Sequence, residues 1–262
     1  MLTWLCAGVT FFVLIFLIGY ILVNGVPNIS PSLFALRYNT ENVSLLPALV
    51  TTILMVAASL LIAVPVGVFS AIYLVEYARR GNRLVKLVRV MAETLSGIPS
   101  IVYGLFGWLF FVTWLGWGFS LLAGSFTLAI MILPLIMRTT EESLKSVPDS
   151  FREGAFGLGA GKLRTVFKIV LPSAAPGILA GVILAVGRIV GETAALIYTA
   201  GTVAQIPGNP LASGRTLAIH MYALSSEGLY TGQAYATAVI LLIVVVGINA
   251  LSAFVAKKMA RR

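Results

Sequence analysis

The chain has 262 residues, is 59% hydrophobic and only 10% charged, and carries a formal net charge of +9. A soluble domain of this length could not hide that much apolar surface, so lipid must cover part of it. With one cysteine, Cys6, and one histidine, His220, the chain has no internal disulfide framework and no Cys/His metal cluster, so no cofactor is expected on it.

Six apolar runs are long enough to cross a bilayer core of about 30 Å. In chain order they cover about 2–23, 46–73 with Pro65 inside, 98–115, 121–137 with Pro134 near the end, 172–195 and 234–256. The first run lacks a basic start and ends in Val23, Asn24, Gly25, Val26 and Pro27, a poor cleavage site, so a retained span is expected rather than a signal peptide. Cys6 follows Thr3, Trp4 and Leu5, which is a poor lipoprotein box, and reads as a buried thiol.

Charge orients these runs. Arg79, Arg80, Arg83, Lys86 and Arg89 lie between runs two and three. Arg138, Lys145, Arg152, Lys162, Arg164 and Lys168 lie between four and five, and Lys257, Lys258, Arg261 and Arg262 close the chain. The opposite loops hold only Arg37 and Arg215. The positive-inside bias then puts both termini and segments 76–97 and 138–171 in the cytoplasm, and accounts for the basic balance without nucleic acid. The expected architecture is an all-α integral membrane protein with six transmembrane helices. Residues 1–45 form the first helix and an outer loop, 46–256 the main transmembrane domain, and 257–262 a basic cytoplasmic tail. The outer segments 24–45 and 199–233 are turn-rich, and a short helix is expected over 216–224. They either receive an extracytoplasmic partner or simply connect spans.

The fourth run continues past its apolar part to Leu144, where Val147 and Pro148 interrupt it. Ser150 is placed to cap a new helix, with Glu153 three residues on as the other half of a capping box. Phe151 and Phe156 are apolar knobs on this polar piece, and Gly154, Gly157, Gly159 and Gly161 remove bulk between and after them. Repeated glycine costs helix stability and so suggests close contact or a turn. A knobbed surface helix fits a groove on another protein; an amphipathic interfacial helix is the plainer alternative. A second helix is expected over 162–171, leading into Pro172 and Pro176.

The fifth run contains Arg188 and Glu192, four residues apart and therefore on one face of a continuous helix. Such charges are costly in hydrocarbon and should face protein or a water-filled path. Two interpretations fit: an ion pair that ties spans together, or an arginine fork offered to an anion and restrained by the glutamate.

The segment from Glu153 to Pro172 resembles the hallmark motif of the membrane subunits of binding-protein-dependent ABC importers, E-A-A-x3-G-x9-I-x-L-P. Glu153, Ala155, Gly159, Ile169, Leu171 and Pro172 fall in register, and Gly154 replaces the usual alanine. The resemblance implies a type I ABC importer permease fold. It also makes the Ser150–Gly159 region, with Ser150, Phe151, Glu153, Ala155, Phe156 and Gly159, a coupling helix seated on a cytoplasmic ATPase. From the second run onward the chain resembles the PstA family of phosphate-importer permease subunits. This rests on the strings Gly97 to Gly104, Leu133 to Glu142 and Gly187 to Ala194. That family implies a homologous PstC permease, a PstB ATPase dimer that uses ATP and Mg, an extracytoplasmic phosphate-binding protein PstS, and inorganic phosphate passing Arg188 and Glu192. Relatives carry molybdate, sulfate, amino acids or metals on the same architecture.

This chain has no Gly-x4-Gly-Lys-Ser/Thr loop, so ATP hydrolysis belongs to the partner. A secondary carrier would need midplane ion-coupling residues and inverted repeats. A channel or scaffold would leave the motif unexplained.

Overall fold

The computed structural model describes residues 2–79 and 81–260, with the backbone alone at 252, 253 and 255–260. Arg80, Arg261 and Arg262 of the basic segments lie outside the described residues. Described elements are helical throughout. Helix α1 (Leu2–Gly25) packs against the last helix, α11 (Thr231–Ala260), with Tyr20 edge-on to Tyr235 at 5.9 Å between ring centroids. Contact is confined to the Gly25 end of α1, so Cys6 is exposed rather than buried as expected.

Three long helices carry the core. Helix α2 (Leu46–Ile72) carries Pro47 in its first turn, where a missing N–H is not needed, and ends in a wider π turn over Tyr73–Tyr77. Helix α3 (Arg83–Ser96) and helix α4 (Ser100–Gly107) come next, then α5 (Leu121–Lys145), which runs beyond the apolar run as expected. After α6 (Asp149–Gly157), the helical path α7 (Lys162–Thr165), Val166–Val170 and α8 (Leu171–Val190) is continuous for 29 residues. Met55 and Ala63 of α2, Leu128, Ile132 and Ile136 of α5, and Ala185 and Ile189 of α8 share one buried cluster. Helices α5 and α8 are antiparallel and close. Ser143 and Thr139 lie against Gly177 and Gly181, where a Cβ would have no room. Small residues permit such approach in a lipid setting, where hydrophobicity does not itself drive helices together.

The third apolar run modifies the six-span expectation. Helix α4 has 8 residues and its π-helical continuation Trp108–Trp114 has 7. Together they rise ~22 Å, short of a hydrocarbon core. They follow α3 across a bend of 104°, so five helices are long and apolar enough to span, or six if the bent pair counts as one. The Tyr103 hydroxyl donates to the Leu95 carbonyl at 2.7 Å and holds this corner.

Segment 76–97 is thus more than a basic connector. Asn82 caps α3 by accepting from the Leu84 N–H at 2.9 Å. Val85 and Ala92 face the bundle, while Leu84, Leu87, Val88 and Met91, at i, i+3, i+4 and i+7, form an exposed apolar stripe.

At the opposite end, here the loop end, α9 (Ala194–Ile197) and α10 (Leu217–Glu227) close the bundle, with Thr216 as the α10 N-cap. Helix α10 fits the short helix expected over 216–224, shifted by a few residues. Buried Arg215 lies over the Tyr38 ring at 4.7 Å, and Tyr38 is edge-on to buried His220 at 6.1 Å. Burial, reinforced by the Arg215 charge, pushes the His220 pKa down to about 3, so the ring is neutral near neutral pH.

Candidate docking helix and polar cavity

Helix α6 starts two residues earlier than the sequence suggests. Pro148 is its N-cap, with extended ψ, and Asp149 supplies an acid in the first turn, where the helix dipole favours one. Ser150 therefore lies inside the helix and makes no side-chain cap, and the expected Ser150–Glu153 capping box does not form. The C-terminal end is better determined. The Gly159 N–H donates to Phe156 O at 2.9 Å, and the Ala160 N–H to Ala155 O at 3.0 Å. That pair of bonds is a Schellman closure, and Gly159 takes the left-handed φ of +79° it needs. The motif glycine is thus a helix terminator, not a close-packing position.

Ala155 and Arg152 face inward, while Phe151, Glu153 and Phe156 are exposed and Leu158 is 92% exposed. Arg152 fixes the helix. Its Nε and Nη2 donate to Glu76 Oε1 at 3.1 and 2.8 Å. Its Nη2 also reaches Leu144 O at 2.9 Å, and its Nη1 reaches Val147 O at 2.8 Å and Asp149 Oδ1 at 3.1 Å. The Arg152 and Glu76 side chains are only 15% and 8% exposed. This anchor joins residues 76 positions apart, and nothing in local spacing announces it. In the sequence Arg152 reads only as an orienting charge, and no local pattern marks Glu76.

A cavity of about 300 Å³ opens at the same end of the bundle, between α3, α5 and α8. Four bases (Arg89, Arg138, Lys145, Arg188) and three acids (Glu93, Glu141, Glu142) line it. Glu141 accepts from Arg89 at 2.7 Å and Lys145 at 2.6 Å, and Glu142 from Arg138 at 3.0 Å. Among the described residues Arg188 has no ion-pair partner within reach. The Gly177–Ser143 and Gly181–Thr139 contacts set the register, so Arg188 lies towards Pro134 and Lys145 towards the opposite end of the lining.

Glu192 is not with Arg188. Helix α8 ends at Val190 with Gly191 as its C-cap, so the two residues do not share a helical face. Glu192 is buried, and its Oε1 accepts the Ala195 N–H at 3.0 Å, tying down α9. Gly191 was the available signal: a glycine between the charges marks a break as readily as a packed helix. Among the described residues no group of three or more His, Cys, Asp or Glu could hold a metal.

A charged cavity inside a helical membrane bundle, beside a rigidly held and apolar-tipped surface helix, defines a membrane transport subunit. Residues 63–261 match the family described as binding-protein-dependent transport system inner membrane component, and the chain belongs to that family. It is 34% identical over 245 residues to the probable ABC transporter permease protein YqgI of Bacillus subtilis, covering 86% of this chain and 81% of that one. It is 34% identical to the phosphate transport system permease protein PstA of Haemophilus influenzae, covering 95% and 86%. Among solved structures, a bacterial alginate ABC transporter chain aligns with a TM-score of 0.68 at 16% identity, covering 98% and 95%. A chain of the inward-facing MetNI methionine ABC transporter aligns with 0.63 at 21% identity, covering 82% and 94%. The all-α type I importer permease fold expected from the sequence is the fold observed. As a family member the chain is a non-catalytic, multi-pass permease subunit of an ABC importer, working with a partner ATPase and an extracytoplasmic binding protein.

Proposed function

We propose that this chain forms half of the translocation path of a phosphate importer. Its partners are a PstC-type permease, a PstB-type ATPase dimer and a PstS-type binding protein. Helix α6 is the coupling helix: Phe151, Phe156 and Leu158 enter a cleft of the ATPase, Glu153 lies on the same exposed surface, and Gly159 ends the helix. Both termini lie on the cytoplasmic side with α6, and residues 46–256 form the transporting domain between the 1–45 and 257–262 segments. ATP binding draws the coupling helices together and turns the path outward; hydrolysis returns it inward, a population shift between two facings.

The observation that carries the phosphate assignment is Arg188, a half-buried guanidinium without an ion-pair partner among the described residues, in a cavity whose other bases are already paired. A free fork in a partly enclosed polar cavity suits a tetrahedral oxyanion. Glu192 contributes by holding the adjoining backbone through its bond to Ala195, not by restraining Arg188. The relatives named PstA support the same substrate.

The test is labelled phosphate uptake normalised to assembled complex. Because no ion pair is broken, Arg188→Gln should assemble at the wild-type level and lose roughly tenfold or more of its uptake. Near-normal uptake would remove Arg188 from the path. Equal competition by sulfate or molybdate would reassign the substrate while leaving the importer assignment intact.

A further inference from the structure

A second cavity, about 530 Å³, lies outside the polar path, between the end of α2 and the outer side of α3. Phe69 and Tyr73 line one wall, Leu84, Val85 and Val88 the other, and Asn82 the rim. It opens to the surroundings of the bundle rather than into its core. Phe69 is 59% exposed, Tyr73 56% and Leu84 69%, and the apolar stripe continues along α3 through Leu87 and Met91.

We infer that this cleft binds one acyl chain of an anionic phospholipid whose headgroup is held at the start of α3. Three observations converge on a lipid. Helix α3 turns 104° from the following span, so it runs across the end of the bundle, as an interfacial helix does. Its exposed apolar stripe continues the outward-facing side chains of α2, which face hydrocarbon in a spanning helix. Its first turns carry Arg83 and Lys86, both exposed and, among the described residues, without an ion pair like the one that occupies Arg89. A negatively charged headgroup complements that pair, and a basic amphipathic helix is the usual form of such recognition. Helix α3 also supplies Arg89 and Glu93 to the polar cavity on its other side. Lipid occupancy therefore sets the position of one wall of the transport path.

The complete transporter, purified with its permease and ATPase partners and mildly delipidated, is measured by native mass spectrometry after exchange into nanodiscs. The nanodiscs contain phosphatidylcholine with or without phosphatidylglycerol. The wild type should retain phosphatidylglycerol selectively. Each basic side chain near an anionic surface contributes roughly fivefold, so Arg83→Gln with Lys86→Gln should lower that retention by about thirtyfold. Val88→Trp, which fills the cleft, should reduce retention of both lipids. The charge variant changes only exposed residues, so it stays decisive even if the tryptophan variant does not assemble. Equal retention of the two lipids by the wild type would overturn the headgroup assignment. Cross-linking of a photoreactive residue at Leu84 to a protein subunit instead of a photoreactive lipid would overturn the lipid itself.

Discussion

The two ends of the bundle solve the problem of buried charge in opposite ways. At the basic end, Arg152 and Glu76 are buried together, and Glu141 is shared between Arg89 and Lys145. At the loop end, Arg215 is buried over a tyrosine ring, and the neighbouring His220 stays neutral instead of adding a second charge. Paired charges give direction and fixed distance between elements; a neutralised ring gives only packing. The end that holds α6 is therefore built for mechanical definition, whereas the other end holds a single guanidinium against a ring and keeps its neighbour uncharged.

The largest way to break this contrast is to remove the anchor. Arg152→Ala leaves the Glu76 carboxylate buried without a cation, which costs about 3–5 kcal/mol. It should lower the melting temperature of the complex and weaken retention of the ATPase on purification. Replacing Arg152 and Glu76 together by methionine should recover most of the stability but not the fixed pose of α6, and therefore not uptake. An unchanged melting curve for Arg152→Ala would mean that the pair does not hold the helix.

A smaller effect is expected at the end of α6. Gly159→Val forces a β-branched residue into a left-handed backbone, at a cost of about 1–2 kcal/mol. Because no atom crowds the site, the damage should be conformational rather than steric. Asparagine, which tolerates this backbone, should restore ATPase association and uptake better than alanine. Equal activity for valine and glycine would show that the Schellman closure is dispensable.

The smallest effect sharpens the loop-end side of the comparison. The His220 pKa is depressed in the folded chain, so below the ordinary imidazole value only the unfolded chain takes up the proton. Stability therefore falls as pH drops from about 6.5 towards about 3. One unit below the ordinary value the loss is about 1 kcal/mol. His220→Phe should flatten this part of the pH–melting profile relative to wild type. Parallel profiles would show that His220 protonation is not linked to unfolding.

The long apolar runs, the break at Pro148 and the motif glycine at 159 were legible in the sequence because each is a local signal. Helix α3 was also legible in principle, from Asn82 followed by apolar residues at 84, 87, 88 and 91, but the interleaved Arg83, Lys86 and Arg89 read equally well as the positive charges of a cytoplasmic loop. Two features were not legible. The Arg152–Glu76 anchor depends on where two distant helix ends meet, which no period encodes. The end of α8 at Val190 depends on whether Gly191 is packed or terminal, and only tertiary contact decides that. The capping box failed for a related reason: Pro148 had already begun the helix before Ser150 could.

The unbroken helical path from Lys162 to Val190 has a further consequence for transmission of force. At 1.5 Å per residue it is about 43 Å long, with no loop in which strain could dissipate. One end abuts α6 and the other carries Arg188. A thrust applied to α6 would thus travel along one hydrogen-bonded path, which can bend only where the wider π turn at Val166–Val170 and Pro176 loosen its ladder. The first break in the helix, Gly191 to Thr193, lies beyond Arg188. That order makes Arg188 the last charged side chain carried on the same helical path as the α6 end.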